Sequence, residues 1–238
     1  SMFFYLLGRT SEERYRKITF FFLCAVCGFL SLASKENAVM LPLVLFIFDI
    51  LLIQGVTGRS LKRQLIWGFV TVIFLAAVAL AVNGSSHILS SYKIRDFTLL
   101  ERLLTQPRIL IYYISLILYP MTDRFALIHD VELSTSLFSP WTTLPSIFFW
   151  VLWTGIALYL VKRRPLIAFC LLFFQINHLV ESSFLPLELI YEHRNYLPSM
   201  TLFLLISIGL VAFLRRFDDS VMLKTLTALL LSIIIAGQ

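Results

Sequence analysis

Long apolar runs separated by short charged clusters dominate the chain. The runs lie at 18–34, 38–54, 65–82, 143–161, 166–185, 200–214 and 221–236. Each is close to the roughly 20 residues that an α-helix needs to cross a bilayer core of about 30 Å. A spanning β-barrel would instead alternate apolar and polar positions in segments of about ten residues, and that pattern is absent. The periodicity predicts an all-α, polytopic transmembrane bundle with about seven spanning helices in a single domain, 1–238. Residues 2–8 read as the final turns of a further helix. Residues 109–119, bracketed by Pro107 and Pro120, form a run that is short for a span.

The charged clusters orient the bundle. Cytoplasmic loops of membrane proteins carry an excess of Lys and Arg. The clusters "RTSEERYRK", "GRSLKRQ", "VKRRP" and "RRFDDSVMLK" all fall on one side if the run at 109–119 does not cross. If it did cross, "VKRRP" would be exported. The expectation is therefore a re-entrant or interfacial helix inside an external loop at 83–142. This topology places "SKEN", the loop and "YEHRNYLP" on the same external face.

Composition narrows the class further. The chain is 59% hydrophobic and 14% charged, with a mean hydropathy of +0.86, whereas a soluble domain carries about 25% charged residues. An integral membrane location follows, with membrane lipids as partners. The net charge of +6 is spent on orientation, so no nucleic-acid partner is expected. Cys24, Cys27 and Cys170 all sit within apolar runs and read as packing residues. No phosphate-binding glycine loop, zinc-protease helix or nucleophile elbow occurs. Asp49, deep in an apolar run, reads as structural.

The candidate chemistry lies in a few polar interruptions. In "SKENAVMLP", Lys35 is either a snorkelling turn residue or a cation for a lipid phosphate, oriented by Glu36 and accompanied by Asn37. In "YEHRNYLPSM", Arg194 offers a forked donor set for phosphate, Glu192 a carboxylate to hold it, and His193 a tunable donor. Tyr191 and Tyr196 are also natural interfacial anchors. "QINHLVESS" adds Asn177, His178 and Glu181. Ionisable groups at membrane depth usually line a cavity or satisfy a neighbouring helix. Glu188 is close enough in sequence to join them. Arg102, Arg108 and Tyr112 lie on or beside one amphipathic helix suited to lipid headgroups, and Arg108 is a third phosphate-binding candidate. His129 and Asp130 form an acid–base pair but are too few for a metal site. A divalent metal is the weaker expectation, and no metal ligands are assigned.

Two segments bring a family into view. "SLASKENAVMLPLVLFIFDILL" resembles the Lys-Glu segment and following apolar helix of GT-C superfamily membrane glycosyltransferases. "YEHRNYLPSM" resembles the Glu-Arg…Tyr-x-Pro-Ser-Met stretch of the transmembrane-and-TPR protein O-mannosyltransferases and their bacterial relatives. "PRILIYYISLILYP", "LIHDVELS" and "SPW" are similar to the external loop of those relatives. The resemblance implies an enzyme of a bacterial inner membrane that moves a sugar from a polyprenyl-phosphate donor to an acceptor, often a protein, at the external face. It matches Lys35 and Glu36 to one motif, and Glu192, Arg194, Tyr196 and Pro198 to the other. It also implies a catalytic acid in a loop upstream of Ser1 and a TPR tail downstream of Gln238, so the chain is expected to be a piece of a longer protein. Within it, Asp130, Glu192 and His193 are the weak catalytic candidates. A non-catalytic scaffold or subunit of a larger membrane complex, and a lipid-linked oligosaccharide ligase or polymerase, remain as alternatives.

Overall fold

The structure is a computed structural model that describes residues 1–56, 66, 92–121, 124, 131–216 and 225, with Glu36 described by its backbone alone. The described residues form seven α-helices and no strand. They are α1 (Met2–Thr10), α2 (Arg14–Ser34), α3 (Leu41–Phe48), α4 (Leu99–Leu118), α5 (Thr143–Leu160), α6 (Pro165–His178) and α7 (Tyr196–Arg215). A 3-10 turn, Glu36–Met40, leads into α3, and a π-helical turn, Asp49–Gln54, extends it. Four continuous helical stretches are long and apolar enough to cross a membrane: Arg14–Ser34, Asn37–Gln54, Thr143–Leu160 and Glu192–Arg215. The expected spans at 65–82 and 221–236 fall outside the described residues.

Three expected boundaries move, each for a local reason. The run at 166–185 is helical only over Pro165–His178, because Pro165 opens it at the first turn and the chain then breaks into turns before Pro186. Glu181 therefore lies beyond the helix end rather than on a shared face with His178. The stretch at 200–214 starts earlier, since a 3-10 turn at Glu192–Asn195 runs straight into Tyr196. The short run at 109–119 is the second half of a 20-residue helix, α4. Its start is fixed by a capping box: Glu101 N donates to Thr98 Oγ1 at 3.3 Å, and Thr98 N donates to Glu101 Oε2 at 2.8 Å.

Packing centres on α6. Val44 and Leu51 meet Ala168, Phe169, Cys170 and Phe173, and Phe48 sits edge-on to Phe169 at 5.6 Å. Trp150, Phe174 and Leu202 bring α5, α6 and α7 together beneath Leu110, Ile114 and Ile117 of α4. Polar ties reinforce these contacts. Gln175 Nε2 donates to Thr154 Oγ1 at 2.7 Å, and Thr201 Oγ1 donates to the Cys170 carbonyl at 3.2 Å. Interhelical hydrogen bonds of this kind contribute about 0.6–2 kcal/mol each in an apolar surround. The outward faces stay apolar, with Phe22 and Phe29 of α2 and Phe148 and Val151 of α5 well exposed. Large exposed apolar surfaces of this extent mark contact with lipid or another chain.

Candidate functional site

The polar interruptions converge at one end of the bundle, where α2 finishes and α7 begins. Lys35 follows the last residue of α2, Glu181 lies in the turns after α6, and Arg194 sits in the 3-10 turn before α7. Lys35 Nζ is 3.7 Å from Glu181 Oε1, and Arg194 Nε is 3.1 Å from Glu181 Oε2. One carboxylate thus bridges two cations, which places both cationic heads within about one Debye length of each other, roughly 8–10 Å. The bridging acid is Glu181. Glu192 does not take that place, and the Glu36 side chain is outside the described residues.

The three charges differ in setting. Arg194 and Glu181 are buried, whereas the Lys35 side chain is 50% exposed. The Arg194–Glu181 contact is an ion pair whose angle does not make a hydrogen bond, and Glu181 Oε2 has no hydrogen-bond partner among the described residues. Arg194 directs Nη1 to the Glu188 carbonyl at 2.7 Å and lies 4.9 Å from the centre of the Tyr191 ring. Among the described residues, Lys35 and Arg194 share this one carboxylate.

A second set of residues holds this geometry. Arg102, fully buried on α4, donates Nη2 to the Glu181 carbonyl at 2.7 Å and Nε to the Ser183 carbonyl at 2.9 Å, and also bonds the Leu187 carbonyl. Arg95 adds a bond to the Pro186 carbonyl at 3.1 Å and pairs with Glu188. Tyr92 adds one to the Phe184 carbonyl at 2.7 Å. The strap at 181–188 is therefore held through its main chain. Tyr113 bolts α4 to the turn that carries Arg194. Its hydroxyl donates to the Tyr191 carbonyl at 3.1 Å and accepts from Tyr191 N at 2.9 Å, and its own carbonyl accepts from Asn195 Nδ2 at 3.0 Å.

In front of the cations lies a cavity of about 560 Å³. Its lining combines Lys35, Asn37, Asn177, His193 and Arg194 with apolar side chains that include Phe3, Leu41, Val44, Phe173 and Leu197. A charged head region with apolar walls matches an amphiphile carrying an anionic group. Asn37 is buried on the 3-10 turn, and His193 is exposed, with its ring 5.2 Å from that of Tyr191. Tyr196 borders the same cavity with an exposed ring.

Not every expected residue joins the site. Arg108 lies elsewhere: Nη1 reaches the Glu132 carbonyl at 2.8 Å and Ser134 Oγ at 3.2 Å, and the side chain lines a different cavity. The α4 register explains this. Arg102, Thr105, Gln106, Ile109, Tyr113 and Leu116 form its buried stripe, and Arg108 falls off that stripe. His178 is buried behind the cations rather than beside them, stacked on Tyr113 at 5.4 Å and edge-on to Phe174 at 4.7 Å. His129 and Asp130 are outside the described residues. Among the described residues, no group of three or more His, Cys, Asp or Glu side chains could hold a metal ion.

Tyr113 is a support that sequence reasoning did not assign, and Arg102, expected on a headgroup-facing surface, is instead fully buried and bonds the carbonyls of the strap. The signal was present: carried back from the apolar run into "ERLLTQPRIL", helical spacing puts Arg102 on the same stripe as Tyr113. Comparisons with known protein families, curated proteins and solved structures found no match to this chain.

Proposed function

We propose that this chain is the core of an integral membrane glycosyltransferase that takes a sugar from a polyprenyl-phosphate donor. One observation carries the reading: two cations from distant parts of the sequence meet on Glu181 at the head of an apolar-walled cavity. The sequence resemblance to GT-C enzymes supplies the reaction class. In that reaction an acceptor oxygen forms a bond to the anomeric carbon while the carbon–oxygen bond to phosphate breaks. The electron pair leaves on the lipid phosphate, and the acceptor proton passes to a base.

Arg194 and Lys35 stabilise the departing phosphate, since fixed cations aimed at developing charge lower a barrier most in a water-poor site. Glu181 keeps the cations convergent and limits their mutual repulsion. His193, on the rim, is placed to donate to a phosphate oxygen. The base lies elsewhere: Glu192 and Asp130 are the weak candidates within this chain, and the family pattern places the acid upstream of Ser1.

The same reading orients the bundle. The end with Lys35 and Arg194 faces the exterior of a bacterial inner membrane, and α4 lies at the interface instead of crossing. Support comes from its partners Trp150, His178 and Leu202, which lie in the halves of α5, α6 and α7 nearest the polar end. A protein acceptor would approach from that side.

Binding of polyprenyl phosphate to purified protein tests the proposal. Arg194→Lys keeps the charge and loses the planar fork, and is expected to weaken binding about tenfold, equivalent to about 1.4 kcal/mol. Unchanged affinity overturns the phosphate role. Binding without sugar transfer from a glycosylated donor, in a chain supplied with its upstream segment, would favour the scaffold alternative.

A further inference from the structure

A second cavity lies between α4 and α5. It has a volume of about 530 Å³ and is lined by Arg108, Ile111, Tyr112, Trp141, Pro145 and Phe149, among others. Arg108 stands off the buried stripe of α4, so this space is on a different side of that helix from Arg102 and Tyr113. It shares no lining residue with the cavity at Lys35 and Arg194.

Three features specify an occupant. The first is charge. Arg108 Nη2 has only a loose contact with Glu132, at 3.8 Å, and that carboxylate is 72% exposed. Arg124 lies 5.1 Å from the centre of the neighbouring Tyr112 ring. Among the described residues, Arg108 is the one charged side chain that lines the cavity. The second is the set of walls, in which Trp141, Tyr112 and Phe149 surround the guanidinium with the amphipathic aromatics that concentrate at membrane–water boundaries. The third is continuity. Leu137, Phe138 and Trp141 are exposed beside the mouth, and Leu144, Phe148, Val151 and Leu152 continue an exposed apolar surface along α5. A soluble anion would use the charge and leave that surface uncovered. A two-chain lipid uses both.

We infer that this cavity seats the headgroup of an anionic glycerophospholipid, with its acyl chains lying along α5. Arg108 meets the phosphate, and Trp141 and Phe149 flank the glycerol. Thr142, whose buried hydroxyl has no hydrogen-bond partner among the described residues, turns a donor toward a phosphate oxygen by rotation about its Cα–Cβ bond. The site is independent of the glycosyltransferase reading, because it requires only that α5 faces lipid.

The test uses protein reconstituted in phosphatidylcholine nanodiscs containing a minor fraction of phosphatidylglycerol, with retained lipids counted by native mass spectrometry. The wild type is expected to retain phosphatidylglycerol in preference to phosphatidylcholine. Arg108→Gln should lower that retention about tenfold, and Arg16→Gln, at an exposed arginine paired with Glu13 outside both cavities, should leave it unchanged. Equal retention of both lipids, or loss with Arg16→Gln and not with Arg108→Gln, overturns the inference. So does displacement of the lipid by glycerol phosphate or by a soluble oligosaccharide at millimolar concentration. If Arg108→Gln cannot be recovered folded, brominated phosphatidylglycerol supplies the second measurement. It should quench a tryptophan component that Trp141→Phe removes, and quenching that survives this substitution places the lipid elsewhere.

Discussion

The two ends of the bundle solve the same electrostatic problem in different ways. At one end Asp49, buried at the start of the π-helical turn, receives Arg9 Nε at 2.6 Å and also bonds Gln54. One anion meets one cation and an amide, and the charge closes. At the other end Glu181 faces both Lys35 and Arg194, no hydrogen bond satisfies its Oε2 among the described residues, and a cavity opens in front of the cations. A closed pair explains itself as structure, because a buried charge without a partner is costly. Two cations that share one carboxylate beside a partly apolar cavity carry the proposed phosphate site. The difference shows why a buried acid in an apolar run is weak grounds for function until its partners are known.

The largest expected effect concerns the support of the open end. Arg102→Met leaves the carbonyls of Glu181, Ser183 and Leu187 without their donor. Each buried acceptor left unpaired costs about 1–3 kcal/mol, so the loss should be about 4 kcal/mol or more. A fall in the temperature at which detergent-solubilised protein stays monodisperse would show it. A variant as stable as wild type would mean that the strap at 181–188 is not held from α4.

The sharpest comparison is Glu181→Gln against Asp49→Asn. Neutralising Glu181 leaves Arg194 buried without its counter-charge, and breaking a buried pair this way costs about 3–5 kcal/mol. Asp49→Asn keeps one of the two acceptor oxygens that Arg9 and Gln54 use, and should cost roughly 1–3 kcal/mol. A phosphate lipid should restore thermal stability to Glu181→Gln and do nothing for Asp49→Asn. Equal losses with no rescue of either would make the two ends equivalent. Lys35→Met is the milder probe of the open end. Lys35 is half exposed, so stability should change by under about 1 kcal/mol, while binding of polyprenyl phosphate falls several-fold.

The smallest effect is a pH dependence. The Thr98 backbone and hydroxyl donors hold the Glu101 carboxyl below its ordinary value of 4.5. A depressed carboxylate stabilises the folded state at pH above that ordinary value and loses the contribution as pH falls through the folded value. The start of α4 should therefore loosen in acid below about pH 4.5 in wild type. Glu101→Gln should remove that part of the acid sensitivity, read by hydrogen exchange over residues 99–103.

Much of the framework was legible in the sequence because apolar run length is a strong signal. Four of the expected stretches correspond to helices long enough to span, and the ends carrying Lys35 and Arg194 do meet. Glu181 was not singled out as the bridging acid for a geometric reason. Glu192 adjoins Arg194 in sequence, but Glu181 reaches both cations because α6 ends at His178 and the chain turns back. That Arg108 lies apart from Lys35 and Arg194 could not be read from composition, which names a basic amphipathic helix without giving its register. Tyr113 was overlooked, and Arg102 was placed on the headgroup face, because a buried arginine bonding carbonyls leaves no motif, only a helical spacing.

The main-chain grip on the strap has an evolutionary corollary. Arg102, Arg95 and Tyr92 hold the backbone oxygens of 181, 183, 184, 186 and 187. Every residue type offers such an oxygen. The side chains of Ser182, Ser183, Phe184 and Leu187 are thus free to drift without moving Glu181, and selection at this end falls on few positions. The strap can diversify on its outer surface while the charge behind it stays still.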